Sequence, residues 1–184
     1  MATTTTSTNS FLQRLIGAAA LDTAIYEEVE ADRGATGQAL AVVLLSSLAA
    51  GFGSGNLGGV SVANVAFICT LSLLAWAAWA LLTFEIGSRL LPEAQTRADV
   101  GELLRTLGFA ATPGLLRVFA ILPGAAIPTF VITSVWMIAA TIVAVRQALD
   151  YTSTSRAVAV CVLGWVLATA IAVVIGLAFG PSLS

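Results

Sequence analysis

Residues 107–124 read LGFAATPGLLRVFAILPG. The stretch is apolar enough to lie in hydrocarbon, yet it holds Arg117 at its middle and two prolines, Pro113 and Pro123. If it crosses a membrane the chain makes five passes; if it does not, four. A central arginine costs about 2.5–3.5 kcal/mol on insertion scales, so it needs a reason. Pro113 supplies one. Proline removes a backbone donor and clashes with the carbonyl four residues back, here Phe109, freeing backbone oxygens that a guanidinium could satisfy inside a bundle.

The rest of the chain sets the context. Of 184 residues, 58% are hydrophobic and 10% charged, against about a quarter charged in soluble domains. Long apolar runs with few charges indicate a polytopic membrane protein. Five segments are predicted to span: 38–55, 62–84, 107–123, 127–148 and 157–179. A crossing helix needs about 20 residues. The second, fourth and fifth pass easily; the first and third are short and are expected to be tilted, broken or locally thinning.

Arginine decides the count. Arg14 and Arg33 precede the first segment, Arg89, Arg97 and Arg105 lie between the second and third, and Arg146 and Arg156 between the fourth and fifth. The remaining connections carry no charge. The positive-inside rule then puts the N-terminus in the cytoplasm and the C-terminus outside. Four passes would send Arg146 and Arg156 outward. All ten acids obey the same division. The expected fold class is an all-α polytopic membrane protein of five transmembrane helices, preceded by a short amphipathic and acidic N-terminal helix. The expected divisions are a flexible tail (1–10), a cytoplasmic interfacial and acidic segment (11–37), the membrane domain (38–179) and a short outer tail (180–184).

In that N-terminal segment Ser10 can cap a helix. Phe11, Leu12, Leu15, Ile16 and Ala19 recur at helical spacing with Gln13 and Arg14 opposite, the pattern of a helix lying on the inner leaflet. The acidic run that follows is repelled by anionic headgroups. Its Tyr26, Glu27, Glu28, Glu30 and Asp32 form a candidate cytoplasmic partner surface.

Within the spans, Arg117 and Pro113 mark a candidate polar site, either a structural clamp or a seat for an anionic group such as a lipid phosphate or a partner carboxylate. Glu85 is a candidate partner for Arg117, although Arg89 stands one helical turn from it. The fifth segment carries Gly164, Ala168, Ala172, Gly176 and Gly180 every four residues, a candidate packing face; Ala140, Ala144 and Ala148 form a shorter version on the fourth. Trp76, Trp79, Trp136 and Trp165 are expected to pack toward lipid. Cys69 and Cys161 read as buried structural thiols. The Gly-rich GFGSGNLGG at 51–59 lacks a preceding strand and a following lysine, so it reads as an outer loop and not a phosphate loop.

The chain has neither Lys nor His; all eight basic residues are Arg. This excludes a Walker lysine, a Schiff base, a His-based triad and imidazole metal ligands. The arginine bias points to a GC-rich prokaryotic genome. No catalytic residue, cofactor or metal ligand is expected, and no paired base and nucleophile for an intramembrane enzyme is apparent. The expected partners are membrane lipids and other integral membrane proteins, in a larger complex or a homo-oligomer, and not nucleic acid.

Three stretches carry a family resemblance: YEEVEADRGATGQAL (26–40), ELLRTLGFAATPGLLRVFAILPG (102–124) and VWMIAATIVAVRQALDYTSTSRAVAV (135–160). Together they resemble the prokaryotic branch of the Yip-one domain family, most specifically through R-T-L-G-F-A-x-x-P-G from Arg105 to Gly114. The resemblance implies five spans with a cytoplasmic N-terminus. In eukaryotic relatives it implies binding of prenylated Rab GTPases and a role in vesicle traffic. The D-L-Y-G-P motif of those relatives does not occur before the first span. The expected function is therefore a non-enzymatic scaffold or accessory subunit of a bacterial inner membrane. A small transporter or channel built on the third span, and GTPase recruitment, are the alternatives.

Overall fold

The computed structural model describes residues 9–54 and 61–179. The Thr-rich start, the centre of the Gly-rich loop and the end of the chain, with Gly180, lie outside the described residues. The described residues form helices and no strands. These are α1 (Phe11–Ala19), α2 (Thr23–Ala31), α3 (Ala35–Gly53), α4 (Val62–Glu85), α5 (Val100–Ala110), α6 (Ala126–Ala148) and α7 (Thr154–Phe179). A π-helical turn, Ile86–Leu90, closes α4, and a 3-10 segment, Thr112–Ile121, continues α5. Five helices are long and apolar enough to cross a membrane, which makes this a multi-pass membrane protein by length and composition.

The third crossing starts earlier than hydropathy places it, at Val100 and not 107. Asp99 and Glu102 cap it reciprocally: the Asp99 carboxylate accepts from Gly101 N–H and Asp99 N–H donates to Glu102 Oε2. Its second half is 3-10 helix, far longer than the usual three or four residues. The extra rise of that form lets the two halves reach about 36 Å, enough for a hydrocarbon core of about 30 Å. Pro113 sits at the junction. The Phe109 carbonyl accepts from Thr112 Oγ1 (2.6 Å) and the Ala111 carbonyl from Ser46 Oγ (2.7 Å). The Phe109 oxygen freed by the proline is thus taken by the Thr112 hydroxyl, not by Arg117 as the sequence suggested, while the Ala111 oxygen accepts from both Gly114 N–H and Ser46. Pro128 falls in the first turn of α6, where no intrahelical donor is needed.

Contacts fix which helix ends lie together. Tyr151 Oη lies 2.9 Å from Gly87 O and 2.8 Å from Leu91 O, donating to one at a time. Arg156 donates to Pro92 O (2.7 Å), and Glu93 accepts from Thr152 N–H (3.0 Å) and its hydroxyl (2.7 Å). The end of α4, the end of α6 and the start of α7 therefore share one face. Arg105, the middle residue of α5 and in the first third of the 100–121 crossing, donates to Val29 O (3.0 Å) and Glu30 O (2.9 Å) just before α3, which adds both starts to that face. At the opposite face Gly53, the last residue of α3, meets the Arg117 carbonyl and Ala120 so closely that a Cβ would collide. The third segment thus runs from one face to the other.

That segment is the most buried of the five, with half of its apolar stretch covered, although it is the least apolar. Its neighbours shield its polar atoms from lipid. Close packing of α3 on α5 depends on small residues: a Cβ at Gly108 would come within 2.6 Å of Ala39 Cβ, and one at Gly114 would strike Ser46 Oγ. The sequence pointed instead to the α7 ridge. There Gly164 is buried beneath Trp79 and Ala168 is half-buried, while Ala172, Gly176 and Gly180 lie outside the side chains described. Ala140, Ala144 and Ala148 are fully buried.

Helices α1 and α2 form a hairpin packed on the bundle. Leu21 adopts a left-handed φ of 61° in its turn. Phe11 meets Phe109 edge-on with ring centroids 6.4 Å apart. The Trp136 indole donates to Ala19 O (2.7 Å). Trp136 stands at the midpoint of α6, so the turn of the hairpin reaches the middle of a spanning helix. This corrects two expectations. Trp136 faces the hairpin and not lipid, and Arg14 lies on the packed side of α1, 1% exposed, while Leu12 and Ile16 face outward. The reason is charge pairing: desolvated Arg14 needs carboxylates, and these are on α2.

Candidate functional site

Arg117 projects from the 3-10 segment toward α6. Its Nε lies 3.3 Å from Thr133 Oγ1 and its Nη2 3.2 Å from Ser134 Oγ. The guanidinium carbon is 5.4 Å from the centre of the Phe130 ring, within cation–π range. Thr133 donates its own proton to Thr129 O (2.8 Å), which orients its oxygen as an acceptor for the arginine. Among the described residues no carboxylate pairs with Arg117. Glu85 does not reach it: it pairs with Arg89 (3.0 Å) on its own helix, at the opposite face.

Arg117 lines three clefts. One, of about 360 Å³, lies between α3, α4 and the broken helix and includes Ser46, Ser47, Ser72 and Trp76. Another, of about 310 Å³, lies between α6 and α7, with Ser134, Thr141 and Trp165. The last, of about 320 Å³, opens near Gly53, Ser54 and Phe130. Most of these hydroxyls already donate to their own backbone: Ser47 to Val43, Ser72 to Ile68, Ser54 to Gly51 and Thr141 to Met137. Ser46 donates to Ala111. The Ser134 proton has no such acceptor among the described residues, and the buried Trp76 Nε1 has no partner there either. The site therefore offers donors without acceptors, a surplus that hydropathy cannot reveal and that two lone Ser and Trp positions did not signal.

The acidic N-terminal residues are mostly consumed within the protein. Tyr26 is fully buried, its hydroxyl donating to Ala18 O (3.2 Å), and burial pushes its pKa up. Arg14 bridges Glu28 (2.9 Å) and Asp32 (2.7 Å) and also donates to Gln38. Burial works to raise the Glu28 pKa, but hydrogen bonds from Asn9 and Arg14 outweigh it and the net shift is downward. Asp32 is held low by Arg14. Glu30 behaves oppositely. Burial, then the charges of Glu102, Asp150 and Glu27, lift its carboxyl to about 7 against the opposing pull of Arg105. Its Oε2 is buried without a partner among the described residues. Of the five residues proposed as a partner surface, Glu27 alone is exposed.

The thiols differ from each other: Cys161 is buried and Cys69 half-exposed, so only the first fits the expected buried role. Among the described residues no group of His, Cys, Asp and Glu is placed to hold a metal ion. No family model, curated protein or solved structure matches the chain.

Proposed function

We propose that this protein is a non-enzymatic scaffold or accessory subunit of a bacterial inner membrane, its N-terminus cytoplasmic and its C-terminus outside, binding lipids and other membrane proteins through its helix faces. The observation that carries the reading is the openness of α4. Only 6% of its apolar stretch is buried, and Phe67, Leu71 and Leu74 face outward along it. A spanning helix so little used by its own bundle is free to meet lipid or a second protein. The sidedness rests on the arginine distribution: all of Arg89, Arg146 and Arg156 gather at the face where α4 and α6 end. Kinship with the Yip-one domain family is part of the proposal and rests on the resemblance of residues 26–40, 102–124 and 135–160.

Leu74→Trp tests the reading. Fluid lipid accommodates an added indole, whereas a packed protein interface does not. Purification in native lipid should yield a reproducible partner that Leu74→Trp releases at unchanged protein yield. A monomer free of partners in both forms overturns it. A transport role is favoured by one observation, the convergence of three clefts on a broken helix. Flux in proteoliposomes that falls with Arg117→Ala would replace the scaffold reading.

A further inference from the structure

We propose that Arg117 and Ser134 hold the phosphate of an anionic phospholipid. The inference rests on the reading that the bundle spans a membrane, not on its having a protein partner. Five N–H groups belong to a guanidinium. Two are used, on Thr133 and Ser134, and three have no acceptor among the described residues. Ser134 keeps a free proton beside them on the cleft between α6 and α7, while Trp76 lines the neighbouring cleft with its indole N–H buried and unpartnered among the described residues. Every other hydroxyl at these clefts has its proton on a backbone carbonyl. A half-buried cation with unused N–H groups beside a free hydroxyl proton takes an anion, and phosphate accepts several such bonds at once.

The shape of the clefts selects the source. A narrow apolar cleft of about 360 Å³ beside a cation suits an acyl chain with its phosphate at one end, and a partner's carboxylate is the competing occupant that comparison of two lipids tests. An acyl chain can enter. The walls beside Arg117 are apolar, with Ile68 and Met137 on one side and Ile138 and Trp165 on the other. Ser134 is the ninth residue of α6, two turns below the face where the 3-10 segment ends. The headgroup therefore sits drawn in below that face, with its chains lying along the clefts.

The full-length protein is reconstituted in phosphatidylcholine nanodiscs with and without phosphatidylglycerol, and retained lipid is counted by native mass spectrometry. The expected result is one phosphatidylglycerol per protein, retained in preference to phosphatidylcholine. Ser134→Ala should weaken retention roughly tenfold, as for a hydrogen bond to a charged group. Arg117→Gln should abolish it, and Arg117→Lys should restore part. Glu85→Gln should leave it unchanged. Equal retention of the two lipids by the wild type, or phosphatidylglycerol retention indifferent to both Ser134→Ala and Arg117→Gln, overturns the proposal. So does retention of inorganic phosphate added to phosphatidylcholine discs in place of the lipid. None of these outcomes depends on a protein partner, so the scaffold reading stands or falls separately.

Discussion

At the scale of single residues, charge placement decides how the N-terminal hairpin is held. Arg14 is desolvated and spans two carboxylates that are themselves partly wet, 24% and 34% exposed. Breaking a buried pair by removing one member costs about 3–5 kcal/mol, and partial solvation lowers this to about 2–3 kcal/mol for Arg14→Ala. The expected outcome is faster proteolysis within residues 11–31 and a lower unfolding midpoint in detergent. The same hairpin responds to pH in two windows. Glu30 has a raised pKa, so the stability it contributes is complete below 4.5 and is lost as pH rises through about 7. Glu28 and Asp32 have lowered values, so their contribution is present at neutral pH and is lost on acidification below their ordinary 4.5 and 3.8. The protection factors of the α2 amides, with the intrinsic pH dependence of exchange divided out, should therefore be highest near pH 5. Glu30→Gln should flatten the limb above that optimum and leave the acid limb in place.

At the scale of elements, the 3-10 segment and the small residues opposite it are what let a marginal sequence cross. Pro113 alone reads as a break. In the fold it opens a segment whose longer rise compensates for few residues. Hydroxyls from Thr112 and Ser46 satisfy the carbonyls at the junction. The α3–α5 contact that makes this possible has no room for branching. Gly108→Val would drive methyl groups into Ala39 and should cost about 1–3 kcal/mol by overpacking. A lowered unfolding midpoint in detergent would register it, and Gly37→Ala, where a Cβ meets nothing within 4 Å, should be near neutral. The α7 ridge was legible from its spacing, but spacing names no partner. Gly164 turns out to seat Trp79, and the tighter contact lies on α3, where Ala39, Ser46 and Gly53 do not repeat a strict small residue every fourth position.

At the scale of the whole molecule, the described residues hold five helices long and apolar enough to cross a membrane, and the proposed topology separates the two ends. Helix ends at 35, 90, 100, 148 and 154 lie on one face, and those at 53, 121 and 126 on the other. Cysteine labelling at Thr4 and Ser184 in sealed vesicles should find opposite compartments, with Thr4 on the cytoplasmic side. Labelling of both from one side would remove the third crossing and the Arg117 site with it.

What the sequence by itself determined is where the chain leaves water. Transfer to hydrocarbon is a sum of local terms over some twenty residues, so the approximate position of each apolar segment, the helical class and the arginine asymmetry are written in one dimension, while the start of the third crossing at Val100, set by a cap in a charged stretch, is not. What only the tertiary structure decided is which polar groups answer one another. Arg14 meets Asp32 from 18 residues away, Arg117 meets Thr133 from 16 and Ser46 meets Ala111 from 65. Those pairings depend on how far each helix is rotated about its axis and how closely small residues let two backbones approach. Hydropathy averages over both quantities, which is why the crossing at 107–124 could be read from the chain while the acceptors for its arginine could not.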